Sequence, residues 1–146
     1  MDDKLEVASQ RISPKEYKKI VDSIHLAEIS LIELSATVSR TKLMQLEKPR
    51  FRLYDNFEID HSEDFYRLKG NFQVDVPKKG RGENPLKIVA TYSVRFDGPD
   101  KIPEDFWILY KEMLLPFQIW PYFRELVQSL TGRMNIPPIT LPIIHQ

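Results

Sequence analysis

Three features of the sequence predict an α+β domain in which a four-stranded antiparallel sheet with a long first strand packs against a C-terminal helix. Residues 24–40 are rich in aliphatic and β-branched side chains over an unusual length. Three later segments alternate apolar and polar residues with period two. Beyond residue 100 the apolar spacing changes to that of an amphipathic helix. Strands followed by a helix, without alternation between the two, is the pattern of helices packed on one face of an antiparallel sheet.

The elements follow in order. Residues 1–12 are polar and are expected to be flexible. Ser13-Pro14-Lys15-Glu16 opens a short helix over 13–23: Ser13 can cap, Pro14 suits the first helical position and Glu16 completes a capping box. Tyr17, Ile20 and Val21 give that helix one apolar face. Within 24–40, Ile24 and Leu26 share one parity and Ile29 and Leu31 the other. Ile32, Leu34, Ala36 and Val38 return to the first. Side chains of a strand alternate strictly, so each change of parity requires a bulge or bend in one long strand, or a break into two.

Phe51, Leu53, Phe57 and Ile59 then alternate with Arg52, Tyr54 and Glu58. Tyr66, Leu68, Phe72, Val74 and Val76 alternate with Arg67, Lys69, Asn71, Gln73 and Asp75. Leu86, Ile88, Ala90, Tyr92, Val94 and Phe96 alternate with Lys87, Thr91, Ser93 and Arg95. Such strands have one covered and one wet face. A short turn at 61–64 and a longer hairpin loop at 77–85, with Lys78, Lys79 and Arg81 between glycines and prolines, connect them. Pro103-Glu104-Asp105 starts a helix with Phe106, Leu109, Tyr110 and Met113 on one side. Pro116 and Pro121 force it to kink or restart. Tyr122, Phe123, Leu126, Val127 and Leu130 continue the apolar face, and Gly132 is placed to end it. The remaining segment, 136–144, is apolar but holds Pro137, Pro138 and Pro142, so it is extended and neither helix nor central strand. No internal repeat or second domain is visible, and residues 1–146 form one domain.

Composition narrows the function. Lys plus Arg and Asp plus Glu both number 21, which gives no basic excess for neutralising nucleic-acid phosphates. There is no Cys, so disulfides, thiolate nucleophiles and Cys-ligated zinc are excluded together. No apolar run is long enough to span a membrane, and the acidic start Met1-Asp2-Asp3-Lys4 is unlike a secretory signal, so the expected address is the cytoplasm. His25, His61 and His145 do not combine with carboxylates at ligand spacing, and phosphate-loop, dinucleotide and nucleophile-elbow motifs are missing. Neither metal, cofactor nor catalytic activity is expected. His61 is expected to solvate its turn and His25 to lie on the polar side of a strand.

Two apolar segments stand where loops are usually polar. One is Leu43-Met44-Gln45-Leu46, between two strands; the other is the proline-spaced tail. Each could plug or cover the protein's own core, or line a groove that takes apolar side chains from an extended partner. Trp107, Trp120 and Phe117 add apolar surface beyond what so small a sheet and helix need, which points to a homo-oligomer.

The stretch Trp120-Pro121-Tyr122-Phe123-Arg124-Glu125-Leu126-Val127-Gln128-Ser129-Leu130-Thr131-Gly132-Arg133-Met134-Asn135-Ile136-Pro137-Pro138-Ile139-Thr140-Leu141-Pro142 resembles the Pro-Tyr-x-Arg-Glu helix and apolar helix-connecting loop of the SecB family of export chaperones. Ile24-His25-Leu26-Ala27-Glu28-Ile29-Ser30 is similar to the family's first strand, and Leu43-Met44-Gln45-Leu46-Glu47-Lys48-Pro49 stands where the family has its crossover loop. The resemblance runs from residue 24 to the end of the sequence.

That resemblance implies a SecB-like fold, a dimer of dimers, no cofactor, and unfolded polypeptides as partners. Clients would lie in a groove lined by Leu43, Met44, Leu46, Phe51, Leu53, Ile136, Ile139, Leu141 and Ile143. It implies docking of the SecA motor on an acidic sheet face, where Glu28 matches one family position while the next reads Ile32, with Glu33 displaced by one. Two departures stand out. The family adds a second C-terminal helix after the loop, whereas Gln146 follows it closely here, and the hairpin that is acidic in the family carries Lys78, Lys79 and Arg81. Like charges there oppose a basic SecA tail. Three functions are compatible with this reading: a chaperone for protein export, a dedicated chaperone for the antitoxin of a toxin–antitoxin pair, or an oligomeric interaction module that holds no client.

Overall fold

The long first strand is a single strand. In the structure, a computed structural model that describes residues 3–78, 80–136, 139 and 141, β1 runs over His25–Val38 and pairs antiparallel with β4 (Leu86–Asp97). Its register slips twice, between Leu26 and Glu28 and between Leu31 and Glu33, at the two changes of parity. These irregularities keep the pattern in phase. Leu26, Ile29, Leu31, Leu34, Ala36 and Val38 face Phe96, Val94, Tyr92, Ala90, Ile88 and Leu86, whose side chains are buried. Directly opposed residues share a face of the sheet, so all six β1 residues lie on its inner side.

The sheet order is β1-β4-β3-β2, with β2 at Arg52–Ile59 and β3 at Tyr66–Val76, every neighbour antiparallel. β1 and β2 are therefore opposite edges, and the segment joining them crosses the end of the sheet. That crossover contains a one-turn helix, α3 (Arg40–Met44), where Ser39 Oγ accepts from the Lys42 N–H at 3.4 Å.

Two helices cover the inner face. α4 (Glu104–Met113) and α5 (Leu115–Arg133) meet at Leu114, with Pro116 in the first turn of α5 and Pro121 accommodated inside it. The break expected from proline thus occurs at Pro116, which suits a helix start. Trp107, Phe106, Phe123 and Ile119 pack from the helices onto Leu68, Phe72, Val94 and Phe96 of the sheet. Phe72 and Phe123 stack with ring centroids 4.9 Å apart. Gly70 makes the approach of α5 possible, because a Cβ there would stand 2.6 Å from Ile119 Cδ1.

Several expectations are corrected. Residues 3–11 are helical, not flexible: α1 (Asp3–Arg11) packs on α4, with Ala8 and Ile12 buried. Leu5, Ala8 and Ile12 recur at helical spacing, acidic Asp3 and Glu6 sit in the first turn and basic Arg11 in the last, so the helix dipole favours the segment. The next helix, α2 (Pro14–Ser23), follows the reading, with the Glu16 N–H donating to Ser13 Oγ at 3.2 Å. Gly132 does not end α5. Asn135 takes the left-handed conformation at φ 55°, and N–H groups of Asn135 and Ile136 donate to carbonyls of Gly132 and Thr131; asparagine tolerates that backbone through its short polar side chain. Trp107 and Trp120 are buried in the single core, so neither supplies surplus surface for assembly. His61 is partly buried, its ring against Tyr66 and Trp107, and its Nδ1 accepts from the Arg67 N–H at 2.9 Å.

Candidate functional site

The register collects one end of the molecule. Val38, Arg52, Val76 and Leu86 all lie at the same end of the sheet. There the crossover, the start of β2 and the β3–β4 hairpin converge. The Ser39 N–H donates to the Pro85 carbonyl at 2.7 Å, which fixes the crossover on the hairpin. Arg40 Nε donates to the Asn135 carbonyl at 3.0 Å, which fixes it on the turn that ends α5.

The proposed groove residues divide by exposure. Met44 is 59% exposed, Phe51 46% and Leu53 40%. Leu53 faces inward opposite Val74, yet stays accessible at the start of an edge strand. Leu43, by contrast, is buried, and Leu46 packs half-buried against the core. Ile136, Ile139 and Leu141 are also buried. The tail doubles back along α5: the Ile139 N–H donates to Thr131 Oγ1 at 3.2 Å, and Arg124 Nε donates to the Leu141 carbonyl at 2.9 Å. Pro137, Pro138, Pro142 and Ile143 lie outside the described residues, as does Lys79. Of the groove residues, Met44, Phe51 and Leu53 are thus exposed, whereas Leu43, Ile136, Ile139 and Leu141 are buried.

The two candidate docking acids come onto one face. Glu28 is opposite Arg95 and Glu33 opposite Thr91, so the second slip in β1 offsets the displacement of Glu33 in the sequence. Glu28 is not a free charge: Oε1 accepts from Ser30 Oγ at 2.7 Å and Oε2 lies 3.8 Å from Arg95 Nε.

One feature was missed. Leu31 and Leu34 are 43% and 45% exposed, and Leu26 and Val38 are exposed with them, because α4 and α5 lie over the other strands and leave β1 uncovered; Ile32, at the second slip, is exposed on the outer face beside Glu28 and Ser30. The parity of those residues was visible in the sequence, but which strand the helices would leave bare was not. A concavity of about 780 Å³ between α1, β2 and α4 is lined by both charged and apolar groups, with Lys111 Nζ donating to the Phe57 carbonyl at 3.4 Å.

Burial makes the phenols of Tyr17 and Tyr92 less acidic, to about 12, and lowers the basicity of His61. No cluster of three potential metal ligands occurs among the described residues. No helix among them is long and apolar enough to cross a membrane.

No protein-family model matches the chain. The chain is 31% identical over 89 residues to the SecB-like chaperone Rv1957 of Mycobacterium tuberculosis (strain ATCC 25618 / H37Rv), covering 55% of this chain and 49% of that protein. It is 33% identical over 78 residues to the SecB-like chaperone MT2006 of Mycobacterium tuberculosis (strain CDC 1551 / Oshkosh), covering 47% of this chain and 43% of that protein. The matched stretches span about half the length of these curated relatives. In structure it superposes on Mycobacterium tuberculosis Rv1957, solved in complex with a ChAD peptide from the Rv1956 HigA1 antitoxin, with a TM-score of 0.74 and 20% identity over 88% of this chain and 96% of that one. The sheet and helices described above are thus the fold of that SecB-like chaperone.

Proposed function

We propose that this chain is a SecB-like chaperone, not an enzyme, that holds unfolded or aggregation-prone polypeptides at the crossover end of its sheet. The observation that carries the reading is the exposure of three apolar side chains, Met44, Phe51 and Leu53, in the crossover and at the start of β2. A flexible Met and an exposed aromatic ring suit a surface that must fit many apolar sequences. The curated relatives are named SecB-like chaperones, which supports the same reading. In this proposal Leu43, Leu46, Ile136, Ile139, Leu141 and Ile143 belong to the same client site.

The client class we favour is an antitoxin, because the similar solved structure holds an antitoxin peptide. Export of preproteins through SecA is the second reading. It is weakened by Arg95 beside Glu28, since a cation there competes with a basic SecA tail for Glu28. The protein would work in the cytoplasm as a homo-tetramer, a dimer of dimers. The uncovered inner side of β1 supports assembly: a long edge strand with exposed Leu26, Leu31, Leu34 and Val38 is a hazard unless a partner covers it.

Light scattering from a chemically unfolded, slowly refolding substrate, diluted into buffer with the protein in slight excess, tests the chaperone function. Delayed aggregation is expected, and an unchanged time course would identify an oligomeric module that holds no client.

A further inference from the structure

The chain has no net charge, but its charge is unevenly placed. Segments 40–50 and 77–87 together hold eight Lys and Arg residues against two Glu. The structure brings the described residues of these segments together. A concavity of about 350 Å³ lies between them, bounded by Lys42, Gln45 and Leu46 of the crossover and by Lys78, Arg81, Glu83 and Pro85 of the hairpin. A Cβ on Gly82 would stand 3.7 Å from Lys42 Nζ, so that ammonium rests on the hairpin. The loop has its own internal support. The Lys78 N–H donates to Asn84 Oδ1 at 3.0 Å, and Gly80 and Gly82 adopt φ values of 83° and 110° that side-chain-bearing residues rarely take.

Lys42, Lys78 and Arg81 are exposed. Among the described residues none of them has a carboxylate within 4.0 Å, and Glu83 makes no ion pair either. Cations gathered within roughly a Debye length, about 8 Å at physiological salt, repel one another and attract an anionic partner. Leu46 borders this concavity and packs against the core, two residues after exposed Met44. The crossover that carries Met44 thus also borders the cations, and a partner seated on Met44 would meet them with its next residues.

We infer that the client segment held at the crossover end carries acidic side chains next to its apolar ones, and that Lys42, Lys78 and Arg81 bind those carboxylates. The inference rests on the client-holding reading and adds the chemistry of the client. A peptide fits better than a nucleic acid because the other groups lining the concavity, Gln45, Leu46, Glu83 and Pro85, include no aromatic ring on which bases could stack.

Three fluorescent peptides with one apolar core test it, flanked respectively by Asp and Glu, by Ser and Asn, and by Lys. Their affinities for the full chain are read by anisotropy. At low salt the acid-flanked peptide is expected to bind about tenfold more tightly than the Lys-flanked one, a gap that closes toward unity at high salt. The double substitution Lys78→Glu with Arg81→Glu, in an exposed loop, reverses the order of those two peptides. Equal affinities for all three peptides would overturn the inference and leave client holding intact. Binding of none would overturn both. A single-stranded oligonucleotide that bound more tightly than the acid-flanked peptide would overturn it in favour of a nucleic-acid site.

Discussion

Thr131 tests whether the C-terminal segment is seated on α5. Its side chain is fully buried, with Oγ1 donating to the Val127 carbonyl at 2.9 Å and accepting from the Ile139 N–H at 3.2 Å. Thr131→Val keeps the shape and removes the acceptor. The Ile139 N–H is then left buried and unpaired, at a cost of about 1–3 kcal/mol. Ile139→Ala removes most of a side chain that is 4% exposed, for about 2–5 kcal/mol. The two changes disturb one seat, so the double variant should lose less than the sum by about 0.5 kcal/mol or more. Urea unfolding followed by the fluorescence of buried Trp107 and Trp120 measures all three, with Thr131→Ser as the control that keeps the hydroxyl. If both single variants stayed within about 0.5 kcal/mol of the parent, as surface substitutions do, the tail would not be packed as described.

Other outcomes follow from the same packing. Gly70→Ala should destabilise by about 1–3 kcal/mol in urea, because Ile119 lies in a filled core and has little room to withdraw. Leu31→Asp with Leu34→Asp should convert the proposed oligomer to a smaller species by light scattering while circular dichroism stays unchanged; an unaltered mass would refute assembly through β1. Burial lowers the His61 pKa below that of a free imidazole, so below about pH 6.5 the unfolded chain takes up a proton that the folded chain resists. Its contribution to stability is therefore present above that pH and declines as pH falls toward the depressed value. His61→Asn should reduce the loss of stability between neutral and mildly acidic pH, and an identical pH dependence in both proteins would refute this.

The sequence carried the sheet because period-two patterning reports directly on which face is covered. Even the two slips in β1 were legible, as changes of parity at Ile29 and Ile32. The first helix was not, because Leu5, Ala8 and Ile12 form a stripe too thin to stand out among polar neighbours, and what stabilises it is α4, distant in sequence. The fate of Trp107 and Trp120 also depended on tertiary packing: whether an aromatic side chain fills the core or faces a partner is decided by how far the helices reach across the sheet. The candidate site was half legible. An apolar crossover and an apolar tail were evident, but an apolar chain gives the same sequence signal whether it is buried or exposed. The structure separates exposed Met44, Phe51 and Leu53 from buried Leu43, Ile136, Ile139 and Leu141. The basic hairpin was visible as a charge run, and the register is what brought it beside the crossover.

The central claim is that an unfolded polypeptide is held at the crossover end of the sheet. Methyl-labelled protein titrated with a permanently unfolded client examines that claim residue by residue. The Met44 and Leu53 methyl signals should shift or broaden in proportion to client added, while those of Ile88 and Val94 in the core stay in place. Signals of Met44 and Leu53 that did not move, with perturbation confined to Leu31 and Leu34 of β1, would contradict the account and transfer client binding to the opposite edge.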